Sequence, residues 1–162
     1  MQKPTKIQQE NFQVDNLDLK ILKYLMEDAA KPYTEIARDL IVSSGTIHVR
    51  MNKLQKMGAI SGSHLIINPR VIGYDICAFI GMYLEKGSLY HDAVNQLREI
   101  PEIVELHYTT GTFSMFAKLI CKDSDHLRNV LGQKIQDIKG IARTETFISL
   151  EESIKRQVLL QP

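Results

Sequence analysis

Cysteine is scarce in this sequence, which contains Cys77, Cys121 and no tryptophan. The two cysteines lie far apart, and no two of the five histidines are separated by four residues. A disulfide framework and a zinc site therefore have no support. Each cysteine stands within an apolar run, where a free thiol packs as a small hydrophobic group. We accordingly predict no metal.

Long hydrophobic runs and an excess of one charge are also missing. No apolar run approaches the ~20 residues of a membrane span, and residues 1–13 are polar, unlike a signal peptide. We therefore expect a cytoplasmic protein with no membrane partner. Lysine and arginine number 20 against 19 aspartates and glutamates, so nucleic-acid binding would require local clustering of charge. Without a phosphate-binding glycine loop or a nucleophile motif, we expect neither an enzyme nor a cofactor.

Residues 34–60 have the pattern of a helix, a tight turn and a second helix that ends at Gly58. A serine can cap the second helix, and its apolar residues recur with helical spacing. The opposite face is small, polar and basic, which suits the major groove of DNA. An ordinary helical hairpin with a solvated basic face is the alternative. The residues predicted to face DNA are Ser43, Ser44, Gly45, Thr46, His48, Val49, Arg50, Asn52 and Lys53.

Two details of this motif carry separate predictions. Arg50 and Lys53 are candidates for phosphate or guanine contacts, and Asn52 is a candidate for reading adenine. The turn position at Ile41 tends towards positive φ and is usually glycine in such motifs. Isoleucine there predicts either a differently built turn or local strain.

The remaining pattern divides the chain. We predict a flexible arm over residues 1–14, a helix-turn-helix domain over 15–60, a strand or linker over 61–72 and a second domain over 73–162. Asp15 is expected to cap the first helix, with Asp18 in its first turn. The apolar stretch 60–67 predicts one or two short strands.

The second domain alternates between strand and helix patterns in the order β-α-β-β-α-β, which predicts a ferredoxin-like α+β fold. The predicted strands span 74–84, 103–110, 112–121 and 142–150, and the predicted helices span 89–100 and 127–138. Two helices cover one sheet face only, yet both faces of the first strand are largely apolar. Phe113 is predicted to share a face with Met115 on the third strand. We expect a second copy to cover the open face, giving a homodimer.

The chain resembles the Lrp/AsnC (leucine-responsive/asparagine synthetase C regulator) family along nearly its whole length. The resemblance lies in the ordered stretches DNLDLKIL, PYTEIARDL, VSSGTIHVRMNKLQKMGAISG, GYDICAFIG, YTTGTFSMFAK and TETFISL. It implies a bacterial or archaeal transcription regulator, associated with the nucleoid, whose winged helix-turn-helix binds double-stranded promoter DNA. It also implies a C-terminal RAM domain that forms dimers and octamers or similar rings and binds an amino acid between subunits.

The resemblance implies an effector pocket around the hairpin at 108–114, assisted by the last strand at 144–146. Ser114 occupies a position where many relatives carry an acidic residue, which favours asparagine or another small polar amino acid over leucine. The implied residues are Tyr108, Thr110, Gly111, Thr112, Ser114, Thr144, Glu145 and Thr146. Two alternatives stay open: a polar β-turn in an architectural DNA-binding protein without an effector, and an enzyme built on the ferredoxin-like half.

Overall fold

The structure, a computed structural model, describes residues 13–160. The chain divides into two compact units, one running to Leu65 and including the segment from Lys155, the other spanning Ile66–Ile154. Of the predicted arm over residues 1–14, positions 1–12 lie outside the described residues. The two remaining arm positions, Gln13 and Val14, are exposed.

In the described part of the first unit the chain forms three helices: α1 (Asn16–Glu27), α2 (Tyr33–Asp39) and α3 (Ser44–Lys56). Helix α1 begins with a capping box, in which the Asp15 and Asp18 carboxylates each accept from the other residue's backbone N–H. This arrangement satisfies backbone donors that a helix start leaves unpaired. Apolar side chains spaced at helical intervals meet between the three helices. The buried core of this unit comprises Ile21, Ile36, Ala37, Ile47, Met51 and Leu54.

The turn between α2 and α3 is strained at the predicted position. Ile41 has a φ of 56°, the one positive value at a non-glycine residue in the described part of the chain. Its side chain is 92% exposed and so contributes almost no packing. A β-branched residue in the left-handed region costs about 1–2 kcal/mol. The helix-turn-helix keeps its shape because the surrounding core overcomes this local cost.

Replacing Ile41 by glycine is therefore expected to stabilise the first unit. Glycine relieves the left-handed strain but loses more backbone entropy on folding, so the net gain is about 0.5–1 kcal/mol. Chemical denaturation followed by far-UV circular dichroism measures the change. Ile41→Val should leave the stability unchanged, because it keeps the β-branched strain. A destabilised Ile41→Gly variant would contradict the strain argument.

The predicted short strands at 60–67 do not form in the described structure, in which no strand lies between α3 and Ile76. The segment is exposed, with Leu65 87% and Ile66 70% accessible. Apolar alternation alone does not make a strand, because the backbone N–H and C=O groups also need a neighbouring strand to pair with. A 3₁₀ turn at Pro69–Ile72 follows.

The second unit has the predicted ferredoxin-like order. Its elements are β1 (Ile76–Leu84), α4 (Tyr90–Arg98), β2 (Ile103–Tyr108), β3 (Met115–Cys121), α5 (Ser124–Asn129) and β4 (Ile141–Ile148). The strands form a fully antiparallel sheet in the order β2-β3-β1-β4. The α5 helix continues as a π-helical segment over Val130–Ile135. The α+β fold class is confirmed.

Alternate residues of β1 point to opposite faces of this sheet. Ala78, Ile80 and Met82 are buried in one core with Ala93 and Leu97 of α4. The odd-numbered residues of β1 point away from the helices, because successive side chains of a strand alternate. On that open face β1 and β4 are in register, with Phe79 opposite Phe147 and Gly81 opposite Glu145.

Candidate DNA-binding and effector sites

The outward side of α3 is a continuous exposed surface, which we call the reading face: Gly45, Val49, Asn52 and Lys56, flanked by His48. These positions cluster on one side because they lie three, four or seven residues apart. Val49 is 68% exposed although it is apolar. The face therefore offers a small residue, a methyl pair, an amide and a cation to a partner.

The start of α3 is held by its serine cap. The Ser43 hydroxyl accepts from the Thr46 backbone N–H at 3.1 Å and lies 2.9 Å from the Thr46 hydroxyl. Ser44 is partly buried beside it. The His48 ring sits edge-on to Tyr33, with the ring centroids 4.9 Å apart. The predicted residues of the first two turns are thus brought together at one end of α3.

Arg50 and Lys53 do not point outward as predicted. Arg50 Nη1 binds Asp15 Oδ2 and lies 3.3 Å from Asp18 Oδ1. Lys53 Nζ lies 2.6 Å from Asp18 Oδ2 and 2.8 Å from the Gln13 carbonyl oxygen. Helical spacing fixes where a side chain begins, but a long side chain ends where its charge finds a partner. Here the carboxylates at the start of α1 draw both cations away from the reading face.

The charges in this cluster balance. Asp18 is fully buried, at 0% exposure, so its carboxylate requires compensation. The pKa of Asp15 is lowered, first by the hydrogen bond from the Asp18 backbone N–H and then by the Arg50 guanidinium. The pKa of Arg50 is raised, chiefly by its hydrogen bond to Asp15. Two carboxylates therefore neutralise two cations along the flank of α3 that faces α1.

The hairpin between β2 and β3 is closed from within. Thr109 donates its backbone N–H to the Ser114 carbonyl at 3.1 Å and its hydroxyl to the Phe113 carbonyl at 2.8 Å. Gly111 has a φ of 103°, a conformation that favours glycine, and a Cβ added there would meet no atom within 4 Å. Thr110 and Thr112 on either side of it are exposed. The tip thus presents an open backbone flanked by hydroxyl groups.

The two ends of the hairpin are anchored differently. Ser114 donates its N–H to the Met82 carbonyl at 2.9 Å, and its hydroxyl accepts from the Leu84 N–H at 3.3 Å. The Tyr108 ring is exposed and its centroid lies 4.4 Å from that of Tyr90. The Ser114 hydroxyl is therefore partly engaged by β1, whereas Tyr108 is 63% exposed.

The three predicted residues of β4 are not brought to one place. Thr144 and Thr146 pair with Met82 and Ile80, which point towards the helices, whereas Glu145 pairs with Gly81 on the open face. A run of three consecutive strand residues cannot share a face. This corrects the prediction that all three surround one ammonium group.

Glu145 has partners of its own on the open face. Its Oε1 atom accepts from the Tyr83 hydroxyl at 2.9 Å and from Arg143 Nη2 at 3.0 Å. The Arg143 guanidinium also lies over the Tyr83 ring, 4.1 Å from its centroid. The carboxylate is thus already paired by residues of the same sheet.

Phe113 lies on the open face, not beside Met115 as predicted. An ideal Cβ on Gly81 would fall 2.4 Å from the Phe113 ring, so only glycine accommodates the ring there. The prediction was wrong because β3 begins at Met115, and strand alternation does not extend back into the hairpin. Ring-to-ring contacts join these aromatics into what we call the aromatic face: Phe79, Tyr83, Phe113, Phe116 and Phe147.

Sequence reasoning missed two residues of the hairpin, Thr109 and Phe113. The glycine at position 81 within an otherwise bulky strand was the available signal, since it marks a close approach. Among residues 13–160, no group of histidine, cysteine, aspartate or glutamate is arranged to hold a metal ion. No helix in that range has the length and apolarity needed to span a membrane.

Comparison with known proteins gives matches to both units. Residues 14–61 match the family described as winged helix-turn-helix DNA-binding, and residues 77–159 match the Lrp/AsnC ligand binding domain. The regulatory protein AsnC of Haemophilus influenzae is 43% identical over 145 residues, which cover 90% of this chain and 97% of that protein. AsnC of Escherichia coli strain K12 is 42% identical over 149 residues, covering 92% and 98%.

A solved structure of Escherichia coli AsnC has the same fold as this chain. It superposes with a TM-score of 0.87 at 41% sequence identity, covering 91% of this chain and 99% of that one. The archaeal regulator Ptr1 of Methanocaldococcus jannaschii is 38% identical over 128 residues, covering 79% of this chain and 86% of that protein. Both units and their order along the chain are therefore shared with these regulators.

Proposed function

The chain belongs to the Lrp/AsnC family of transcription regulators, and on that premise we propose which of its surfaces read DNA, bind an effector and join subunits. The helix-turn-helix and the ligand-binding domain together make it an effector-modulated DNA-binding regulator. The relatives are named as regulators, and the chain has no proposed catalytic role. We place it in the cytoplasm, where its DNA partner is.

The reading face of α3 carries the DNA-binding proposal. Asn52 offers an amide that can pair with adenine N6 and N7, and Val49 offers methyl groups to a thymine methyl. The Ser43, Ser44 and Thr46 end of the helix is suited to a phosphate, because N-terminal backbone N–H groups favour anions. Gly45 lets the backbone approach the groove. His48 lies at the edge of this surface.

The hairpin tip is the proposed effector contact. A free amino acid presents a carboxylate, an ammonium group and a side chain. Backbone N–H groups around Gly111 can bind the carboxylate, and the hydroxyls of Thr110 and Thr112 can pair with a side-chain amide. Two further candidates lie at the ends of the hairpin, Tyr108 and Ser114. Two others lie on the helix side of the sheet, Thr144 and Thr146. Glu145, already paired with Tyr83, would contact the ammonium group from the open face. Asparagine is the first candidate.

The aromatic face supports a homodimer packed sheet to sheet. Phe147, which lies on the open face, remains 47% exposed on β4. A second copy would remove the open aromatic surface from water, which is favourable in proportion to the area buried. Assembly of dimers into an octamer or similar ring follows the family resemblance. An architectural DNA-binding protein without an effector is the alternative.

Thermal unfolding in the presence of each of the twenty amino acids tests the effector proposal. We expect asparagine or a close polar relative to raise the melting temperature selectively, because a ligand at about a hundredfold over its Kd adds about 2.7 kcal/mol to stability. Thr112→Val, an isosteric change at the exposed hairpin, should abolish the shift. Asn95→Ala, at an exposed position of α4, should retain it. No shift with any amino acid would favour the architectural alternative.

A further inference from the structure

The cation cluster beside α1 bears on how this protein discriminates among DNA sequences. Arg50 and Lys53 stand on the helix that we propose reads DNA, yet their side chains are only 29% and 20% exposed. Both contact the fully buried Asp18, and Arg50 also contacts Asp15. Two positive and two negative charges therefore occupy one flank of α3.

Releasing either cation to DNA would be costly within this arrangement. Asp18 Oδ2 accepts from Lys53 Nζ at 2.6 Å and from the Asp15 backbone N–H at 3.1 Å, and Oδ1 faces Arg50. A buried carboxylate that loses its cations is left charged in a medium that solvates it poorly. The same carboxylate completes the α1 capping box. Departure of the cations would thus disturb both the charge balance and the helix start.

We propose that Asp18, with Asp15, neutralises Arg50 and Lys53 inside the protein, so that this flank of α3 does not bind DNA phosphates. Asp18 then acts on DNA recognition as a positioning residue, because it holds the side chains of Arg50 and Lys53 away from the DNA. Phosphate contacts raise affinity for every sequence alike, whereas base contacts discriminate. By withholding two cations, the cluster leaves selection to the reading face. The inference rests on DNA reading by α3 as proposed above.

The salt dependence of DNA binding measures how many DNA phosphates are neutralised by cations of the protein. Each phosphate neutralised by a protein cation contributes about −0.9 to the slope of log K against log salt concentration. The probes are the DNA duplex selected by the wild-type chain from a random pool and a random duplex of equal length. Affinities are measured for the full-length protein between about 50 and 200 mM salt, the range over which such contacts weaken strongly.

Two variants separate neutralisation from direct contact. In the charge-free variant, Asp15→Asn and Asp18→Asn are combined with Arg50→Met and Lys53→Met, so all four charges of the cluster are removed, the net charge of the flank stays at zero, and asparagine can still cap α1. We expect its slope to match that of the wild type within experimental error. Asp18→Asn alone frees positive charge, so the slope should become steeper by about 0.9 and random-duplex affinity should rise about threefold. The ratio of specific to random affinity should fall accordingly.

Other results would overturn the inference. A slope flatter by about 0.9 or more in the charge-free variant would show that the cations contact phosphates in the wild type. An Asp18→Asn variant that loses specific and random affinity together, with no steeper slope, would show a structural role only. Far-UV circular dichroism establishes that each variant is folded. If Asn52→Ala loses discrimination and the charge-free variant has a flatter slope, internal neutralisation of the two cations is rejected. DNA reading by α3 is retained in that case.

Discussion

Phe116→Glu is expected to disrupt the proposed homodimer and leave the protein monomeric. Phe116 lies within the aromatic face, with its ring centroid 5.9 Å from Phe79, 5.8 Å from Phe113 and 6.4 Å from Phe147. A carboxylate there would be buried without a partner when two sheets pack together. The penalty is about 3 kcal/mol or more, which raises the dissociation constant roughly 100-fold. Sedimentation equilibrium across a range of protein concentrations measures this change.

The matched control places the same charge elsewhere. Asn95→Glu adds a carboxylate to an exposed position of α4, on the helix side of the sheet, and should leave assembly intact. Because Phe116 is partly buried within one chain, circular dichroism must show that Phe116→Glu remains folded. A folded variant that sediments like the wild type would rule out the aromatic face as the dimer interface.

Asn52→Ala is expected to reduce DNA binding with loss of preference at one base pair. Asn52 is exposed on the reading face between Val49 and Lys56. An asparagine that pairs bidentately with adenine contributes about 1–3 kcal/mol of discrimination. Affinity for the selected duplex should therefore fall roughly 5- to 150-fold, while affinity for random DNA stays nearly constant. Fluorescence anisotropy on duplexes substituted at each position locates the base pair concerned.

Chemically altered bases and a control variant sharpen this experiment. Replacing adenine by 7-deazaadenine at the located position removes the N7 acceptor and should weaken the wild type but not Asn52→Ala. Asn95→Ala truncates the same side chain on α4 and should bind like the wild type. Equal losses on selected and random duplexes would mean that Asn52 contacts the backbone of DNA and reads no base.

Periodicity allowed much of the fold to be predicted. The stripe of Ile47, Met51 and Leu54 is buried as its helical spacing indicates, and Ser43 caps α3. The βαββαβ order and the two apolar faces of β1 follow from alternation between strand and helix patterns. These features are local or periodic, so they depend on neighbours close in sequence. At Ile41 the sequence left two possibilities, a differently built turn or local strain, and the positive φ of 56° corresponds to the second.

The candidate sites were less predictable because they depend on distant partners. Phe113 moves to the open face because position 81 is glycine, thirty-two residues earlier in the chain. Glu145 is separated from Thr144 and Thr146 by strand alternation and is paired by Tyr83. The strands expected at 60–67 lack a pairing partner in the described structure. None of these outcomes is encoded in a short sequence window.

Local sequence patterns specify the order of helices and strands, the buried stripes and the reading face of α3, because backbone geometry repeats every 3.6 residues in a helix and every two in a strand. The positions at which the long and charged side chains end depend instead on partners that folding brings close. Arg50 and Lys53 begin on a helix suited to DNA but finish on the carboxylates of α1. The reason is electrostatic: the buried Asp18 needs compensating charge, and folding brings those two cations within reach.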